Sequence, residues 1–202
     1  YGLLYGDQIS YTLNMANKIG TGFSLNGKNI DLTKEDNFQT NPIQVNKVIQ
    51  MGGKKIAYLM YTQFSQGFDK ELNSVFSEFK SEGVDELILD LRYNRGGLTK
   101  TALYLSGMIT GQFTGQIFSQ KIWNKKVTDY YESIDSTDWM KDLFVSEMDD
   151  KTVINSLNLN RVYIITSSNS ASASEMLING LSPFINVIQL GEATYGKNVG
   201  GL

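Results

Sequence analysis

The sequence predicts an α/β fold in which parallel strands alternate with helices, and three observations predict it. Four apolar runs of strand length, at residues 55–61, 86–91, 161–166 and 186–190, are separated by segments with helical periodicity. The runs are continuously apolar, as strands buried on both faces are, rather than alternating as half-exposed strands do. Strand-then-helix order with short glycine-containing connections is the pattern of a parallel sheet covered by helices. A length of 202 residues, 41% hydrophobic and 19% charged, suits one such domain plus a small appendage.

In chain order, residues 1–42 read as short strands and turns. Positions 23–32 alternate apolar and polar around Asn26-Gly27, which predicts a hairpin reversing there. Pro42 marks a boundary, giving an expected division into residues 1–42 and 43–202. A few strands bury too little for a core of their own, so the first segment should pack on something else or belong to a larger unit. Gly52-Gly53 turns the chain into the strand at 55–61. Leu72, Val75, Phe76 and Phe79 then form a helical stripe that Gly83 ends. After the strand at 86–91, a second helix should bury Leu98, Ala102, Leu105 and Ile109. Residues 111–150 are rich in Gln, Thr, Asp and aromatics and read as an insertion with one helix near residues 139–144. The period returns with a strand at 161–166, a helix at 174–181 and a strand at 186–190.

Composition excludes several classes of function. The chain has no cysteine, which removes disulfides, thiolate metal sites and a thiol nucleophile. It has no histidine either, so the commonest general base and metal ligand are absent. The net charge of −3 is spread along the sequence, with no basic stripe for nucleic acid. No apolar run approaches the roughly 20 residues of a membrane-spanning helix. The opening Tyr1-Gly-Leu-Leu-Tyr-Gly6 has no Met, basic leader or long apolar stretch, and reads as a processed product or a piece of a longer translation.

Three loops follow strands at the ends where parallel α/β folds assemble their sites: residues 90–97, 167–175 and 191–197. The middle loop, Ser167-Ser-Asn-Ser-Ala-Ser-Ala-Ser-Glu175, runs into a helix with small side chains throughout. A carbonyl can there approach the helix N-terminus, where backbone N–H groups favour developing negative charge. A serine on it could be a nucleophile; equally, Ser170 or Ser172 could simply cap the helix. The last loop offers Lys197 after Gly196. Without histidine, a neutral lysine amine is the evident way to activate a serine, provided its proton affinity is lowered well below the ordinary pKa of about 10.4. Gly191 and Gly196-Lys197 also match the opening of a phosphate loop, but that motif needs Ser or Thr and a helix next, where this chain has Asn198-Val-Gly-Gly201. In the first loop, Asp90 and Arg92 share one face and read as an ion pair shaping the turn, with Asn94 holding it and Gly96-Gly97 offering backbone amides.

Taken together and in this order, Leu89-Asp-Leu-Arg-Tyr-Asn-Arg-Gly-Gly97, then Ser170-Ala-Ser-Ala-Ser-Glu175, then Gly191-Glu-Ala-Thr-Tyr-Gly-Lys197 resemble the signature set of S41 peptidases, the C-terminal processing or tail-specific proteases. The resemblance covers about residues 44–202 and is of the Bacteroidetes type. It implies a ClpP/crotonase-like α/β core, Ser172 as nucleophile, and Lys197, at the family's spacing, as base. It implies oxyanion donors at the backbone amides of Ala173 and of Gly96 or Gly97, with Asp90, Arg92, Asn94 and Glu175 as structural support. It implies a polypeptide substrate, no metal or cofactor, no nucleic acid, and an exported location, periplasmic or at the cell surface; a homo-oligomer stays open. Residues 1–42 look like the end of the PDZ domain that members usually carry. The sequence departs from the family where some relatives have a lysine-orienting glutamine, here Gly201, and an aspartate, here Pro183. The rival from another class is a non-catalytic peptide- or ligand-binding protein on the same scaffold. Crotonase-type acyl-thioester chemistry shares the paired amides but leaves the serine–lysine spacing unexplained.

Overall fold

A computed structural model describes residues 6–36 and 38–200, which fall into two compact units, Tyr1–Thr40 and Asn41–Leu202. The first unit is an antiparallel hairpin of β1 (Ser10–Ile19) and β2 (Gly22–Thr33). The reversal predicted at Asn26-Gly27 lies instead at Gly20-Thr21, where Ile19 pairs with Gly22 and Gly20 takes the left-handed φ of 59°. Asn26-Gly27-Lys28 forms a bulge within β2. Asn26 Oδ1 accepts the Lys28 N–H at 3.0 Å and its Nδ2 donates to Asn17 Oδ1 at 3.1 Å, so the local Asn-Gly turn is absorbed while strand pairing continues on either side.

The second unit is built on a five-stranded sheet in the order β3-β4-β5-β8-β9. Its members are β3 (Ile43–Met51), β4 (Lys54–Tyr61), β5 (Glu86–Asp90), β8 (Arg161–Thr166) and β9 (Asn186–Gly191). Strands β4, β5, β8 and β9 are parallel neighbours, the predicted arrangement. Strand β3 adds an antiparallel edge that the sequence reading did not contain, joined to β4 through Gly52-Gly53. Leu59, Leu87, Leu89, Val162 and Ile164 are fully buried in the sheet.

Helix α1 (Asp69–Glu82) buries Leu72, Val75, Phe76 and Phe79, the predicted stripe, and ends at Gly83 in a left-handed C-cap. Helix α2 (Thr99–Ile109) buries Ala102, Leu105 and Ile109 as expected, and every residue from Thr101 to Ile109 besides. Leu98 is not on that face: it is the N-cap and is exposed. In the insertion, β6 (Ile117–Gln120) pairs with β7 (Lys141–Leu143), and α3 (Lys125–Ser133) lies between them. The helix expected near residues 139–144 is thus a short 3₁₀ turn, Asp138–Met140, followed by β7. Asp142 of β7 accepts from Ser119 at 2.8 Å and pairs with Lys121 at 2.7 Å, cross-strand partners no helical period would reveal. Helix α3 escaped the pattern because none of its residues is buried; it rests on the Asn124 cap and the Lys125–Asp129 pair. Helix α4 (Ala173–Leu181) packs against α2 and follows β8 through the serine-rich loop. Among the described residues no helix is long and apolar enough to cross a membrane.

Candidate active site

The loops after β5, β8 and β9 meet at the N-terminus of α4, because parallel strands all release their chains at the same sheet edge. The first loop is fixed at its root by Asp90, which is almost wholly buried. Arg92 donates to it in a fork, from Nη2 at 2.7 Å and from Nε at 3.0 and 3.1 Å, and Tyr58 Oη donates at 2.7 Å. Burial pushes the Asp90 carboxyl up, but the Arg92 and Tyr58 bonds together outweigh it and hold it below the usual carboxylate range. The ion pair read from the sequence is therefore present. Tyr58, its third member, gave no sequence signal because it reaches Asp90 across neighbouring strands.

Asn94, fully buried, shapes the rest of the turn. Its Nδ2 donates to the Tyr61 carbonyl at 3.0 Å and its Oδ1 accepts the Gly96 N–H at 2.8 Å. Phe64 clamps the turn from the side: its N–H donates to the Gly96 carbonyl at 3.0 Å, and its own carbonyl accepts from Leu98 at 2.8 Å. Gly96 and Gly97 have φ of 99° and 137°, a region side chains rarely enter. A Cβ on Gly96 would stand 2.7 Å from Ser172 Cβ and 2.9 Å from the Ala173 nitrogen, so the double-glycine turn lies directly against the start of α4. Asn94 has taken the Gly96 N–H, whereas the Gly97 N–H has no acceptor among the described residues, and neither has that of Ala173.

The serines of the second loop separate by burial and bonding. Ser170 is fully buried, donates to the Leu91 carbonyl at 2.7 Å and accepts from the Ser167 N–H at 3.0 Å. Ser174 is fully buried and donates to the Asn94 carbonyl at 3.0 Å. Both lock the second loop onto the first. Ser172 stands between them, half-buried, at φ 57° and ψ −112°, a strained conformation for a residue with a side chain. It is the N-cap of α4 and one half of a capping box with Glu175. The carboxylate half holds the firm bond, Ser172 N–H to Glu175 Oε2 at 2.7 Å; the hydroxyl faces the Glu175 amide without reaching hydrogen-bond geometry.

Glu175 also gathers the third loop. Its Oε1 accepts the Gly196 N–H at 2.5 Å and its Oε2 the Lys197 N–H at 2.9 Å, while the Tyr195 N–H donates to the Ser170 carbonyl at 2.9 Å. Burial pushes the Glu175 carboxyl up, but the Thr194 hydroxyl nearby and the bonds from the Gly196, Ser172 and Lys197 amides prevail and hold it below its ordinary value. The Lys197 backbone is thus tied to the α4 N-terminus, whereas its side chain is exposed and its amine has no partner among the described residues. Residues 192–200 contain no helix, which removes the phosphate-loop reading. Gly201 lies outside the described residues, and Pro183 sits in the turn after α4.

The arrangement offers a hydroxyl on a strained strand-to-helix turn with two unengaged amides beside it, the requirements for attack on a carbonyl with stabilisation of its oxygen. The chain is similar to known peptidases. The sequence profile of peptidase family S41 matches residues 55–201. The carboxy-terminal processing protease CtpA of Bacillus subtilis is 28% identical over 193 residues, covering 95% of this chain and 34% of that protein. The tail-specific protease of Haemophilus influenzae is 26% identical over 148 residues, covering 73% of this chain and 18% of that protein. A crystal structure of a putative S41 protease from Bacteroides fragilis superposes with a TM-score of 0.68 at 25% identity, over 95% of this chain and 50% of that one. The photosystem II D1 C-terminal processing protease shares the fold, with a TM-score of 0.54 at 20% identity over 84% of this chain and 41% of that one. The chain thus spans about a third or less of the length of these two curated relatives.

Proposed function

The chain belongs to peptidase family S41, and on that premise we propose that it carries the catalytic centre of a serine endopeptidase with a Ser172–Lys197 dyad. Ser172 Oγ attacks the scissile carbonyl while the neutral Lys197 amine takes the hydroxyl proton. The amides of Ala173 and Gly97 receive the oxyanion. The protonated lysine then gives its proton to the leaving amine and, neutral again, activates the water that hydrolyses the acyl-enzyme. No metal or cofactor enters this sequence of steps. Gly97 rather than Gly96 is the donor in this reading because Asn94 Oδ1 occupies the Gly96 N–H.

The observation that carries the reading is the strained Ser172 turn packed against Gly96, flanked by two amides without acceptors. Substrates in this proposal are unfolded or C-terminal polypeptide segments, the C-terminal part of the reading being supported by relatives named as a carboxy-terminal processing protease and a tail-specific protease. An exported location, periplasmic or cell-surface, goes with it and is tested by cell fractionation. The first unit is read as the end of a PDZ domain; supporting this, Leu13, Met15, Phe23 and Leu25 of its hairpin are exposed, side chains that a fuller β-fold would cover.

One observation favours the non-catalytic rival: the Lys197 amine is exposed, whereas a lysine acting as base is neutral and desolvated. In the peptidase reading, substrate seated over Ser172 and Lys197 supplies that desolvation. Labelling with a serine-directed fluorophosphonate separates the two. The dyad requires labelling that Ser172→Ala abolishes and Lys197→Ala slows severely, with peptide cleavage lost in both. Cleavage undiminished in either variant refutes it, and a wild-type protein inert to both probe and peptide favours the binding scaffold.

A further inference from the structure

The five-stranded sheet has an edge, β3, whose outer side is open along most of its length. Met51 pairs with Lys54 across Gly52-Gly53, whose φ of 59° and 77° are those of a tight two-residue reversal. From such a turn, pairs that exchange hydrogen bonds alternate with pairs that do not. The alternation turns the backbone groups of Lys47 and Ile49 towards β4 and those of Asn46, Val48 and Gln50 outward. The Lys55 carbonyl fixes the phase: it accepts the Asp85 N–H at 2.8 Å, on the β5 side, and so points away from Gln50 opposite. Asn46, Val48 and Gln50 make no backbone hydrogen bond outside the sheet ladder among the described residues. Edge strands are ordinarily blunted by charges, proline or a bulge. The bulge of β3 lies near its start, between Ile43 and Val45, and its one charge, Lys47, is drawn over the Tyr58 ring at 5.5 Å. From Asn46 to Met51 the edge is a ready template.

The same three residues form one wall of a groove. With Glu78, Phe79 and Glu82 of α1 they line a space of about 530 Å³. Val48 and Phe79 belong to the apolar core and its margin and make the floor, Asn46 and Gln50 are exposed amides, and the two glutamates make an acidic rim. Glu82 is paired with Lys55 at 3.5 Å, whereas Glu78 has no cation among the described residues. A second copy of the chain paired across β3 would set its own Glu78 and Glu82 beside these, like charge against like. An extended polypeptide with a basic side chain in the groove meets attraction instead. The edge is also placed for substrate. β3 begins at Ile43, opposite Tyr61, where the parallel strands end, so it starts at the side of the sheet that carries Ser172. Strands β4 and β5 lie between it and β8. A strand added outside β3 would thus stand roughly 19 Å from β8, a gap about six extended residues span.

We propose that the open edge of β3, with its groove against α1, is a second binding site for polypeptide substrate, where an extended basic segment adds to the sheet as a further strand. Its backbone exchanges N–H···O=C bonds with Asn46, Val48 and Gln50. Alternate side chains enter the groove, an apolar one onto Val48 and Phe79 and a lysine or arginine towards Glu78. The inference deepens the peptidase reading and rests on it for the identity of the bound chain as substrate. Because a chain held at this edge must still reach Ser172, the site favours long unfolded substrates and gives nothing to short ones.

The test uses the complete protein. A fluorescein-labelled peptide, Thr-Lys-Thr-Val-Thr-Lys-Thr, has the same pattern in either strand direction and is titrated by fluorescence anisotropy onto Ser172→Ala, which leaves it uncut. In that background Gln50→Pro removes one outward N–H and no bond to β4, and should weaken binding about tenfold or more with thermal stability little changed. Glu78→Lys should weaken it as well, as should glutamate in place of both peptide lysines. Backbone N-methylation of the Lys-Val-Lys positions and of the intervening threonines should differ sharply. Only one alternate set faces β3, so one set abolishes binding and the other leaves it within about twofold. With Ser172 present, Gln50→Pro should raise KM about tenfold for an unstructured thirty-residue polypeptide containing this sequence, with kcat within about twofold, and leave a four-residue reporter unaffected. Should Gln50→Pro fail to fold, Glu78→Lys and the methylated peptides carry the comparison. Binding that survives these changes, or responds equally to both methylation sets, overturns the proposal. So does an absence of binding, the result expected where another segment of the chain covers β3. A dimer in sedimentation velocity that Gln50→Pro dissociates gives the edge to a second copy and overturns it too. A wild-type protein that binds the peptide at this edge yet cleaves nothing would instead condemn the peptidase reading, so the two failures are distinguishable.

Discussion

A single carboxylate oxygen, Glu175 Oε2, accepts the backbone N–H of Ser172 at 2.7 Å and of Lys197 at 2.9 Å. One side chain therefore sets the distance between the loops that carry the proposed nucleophile and base. Charge-assisted bonds of this kind are worth about 1.5–3 kcal/mol each. Glu175→Ala should release the 194–197 loop and lower kcat by about a hundredfold or more, with the sheet and α4 intact by circular dichroism. Glu175→Gln should fall between, because its amide nitrogen faces N–H donors it cannot accept from. Full activity in Glu175→Ala would show that the loop is held by other means.

The same carboxylate makes stability depend on pH in a defined direction. Its pKa in the folded protein lies below the unfolded value, so its contribution is complete above the unfolded pKa and is lost as pH falls through the folded one. The stability gap between wild type and Glu175→Gln should stay constant above about pH 5.5 and narrow below about pH 4.3, the ordinary glutamate value. Asp90, also depressed, is common to both proteins and cancels. Urea denaturation across this range measures the gap; a gap that widens in acid contradicts the assignment.

The three alternating serines should respond in opposite ways. Ser170→Ala and Ser174→Ala remove buried hydroxyls bonded to the Leu91 and Asn94 carbonyls, and should each cost about 1–3 kcal/mol of stability. Ser172→Gly should abolish peptide cleavage yet stabilise the protein by about 1 kcal/mol, since glycine adopts φ 57° without strain. Thermal denaturation alongside peptide cleavage separates the classes, and a Ser172→Gly protein less stable than wild type would argue against stored strain.

How far these roles were legible in the sequence follows from the range over which each is determined. The stripe of Leu72, Val75, Phe76 and Phe79 with its stop at Gly83 is local, and the helix appeared where the period put it. The three strand-end loops were visible as composition, and parallel topology brings them together without further information. The Asn26-Gly27 turn signal was real but was overruled by pairing on both sides of it, and α3 has no buried face to leave a pattern. The choice between Gly96 and Gly97 was closed to sequence reasoning because it turns on where Asn94 Oδ1 points, a consequence of the Tyr61 carbonyl one strand away. Leu98 misled the helical reading: it fits the apolar period of α2, but the Phe64 carbonyl takes its N–H and holds it outside the helix as the cap.

The glycine turn leaves no room for a side chain. A Cβ at Gly97 would overlap the Phe64 carbonyl, and one at Gly96 would press on Ala171 O and Ser172 Cβ, both 2.7 Å away. Backbone atoms cannot swing aside, so Gly97→Ala must part the turn from Phe64. It should cost about 2 kcal/mol or more in stability, combining positive-φ strain with overpacking, and reduce kcat more than it raises KM. A Gly97→Ala enzyme with normal kcat would remove this turn from the oxyanion site.

The identity of the base is open to a pH–rate measurement whose sign is fixed in advance. Only the unprotonated Lys197 amine can accept the Ser172 proton, and an ordinary lysine is protonated at neutral pH. The chain has no histidine to supply another base near neutrality. On the dyad reading cleavage depends on an amine at position 197 that can give up its proton. Exposure of the amine in the described structure sharpens the test. Lys197→Arg retains a cation that cannot be deprotonated and should lack cleavage at every pH. A rate flat from about pH 6 to 9, or an active Lys197→Arg enzyme, would require the Ser172 proton to leave by a route that does not involve this amine.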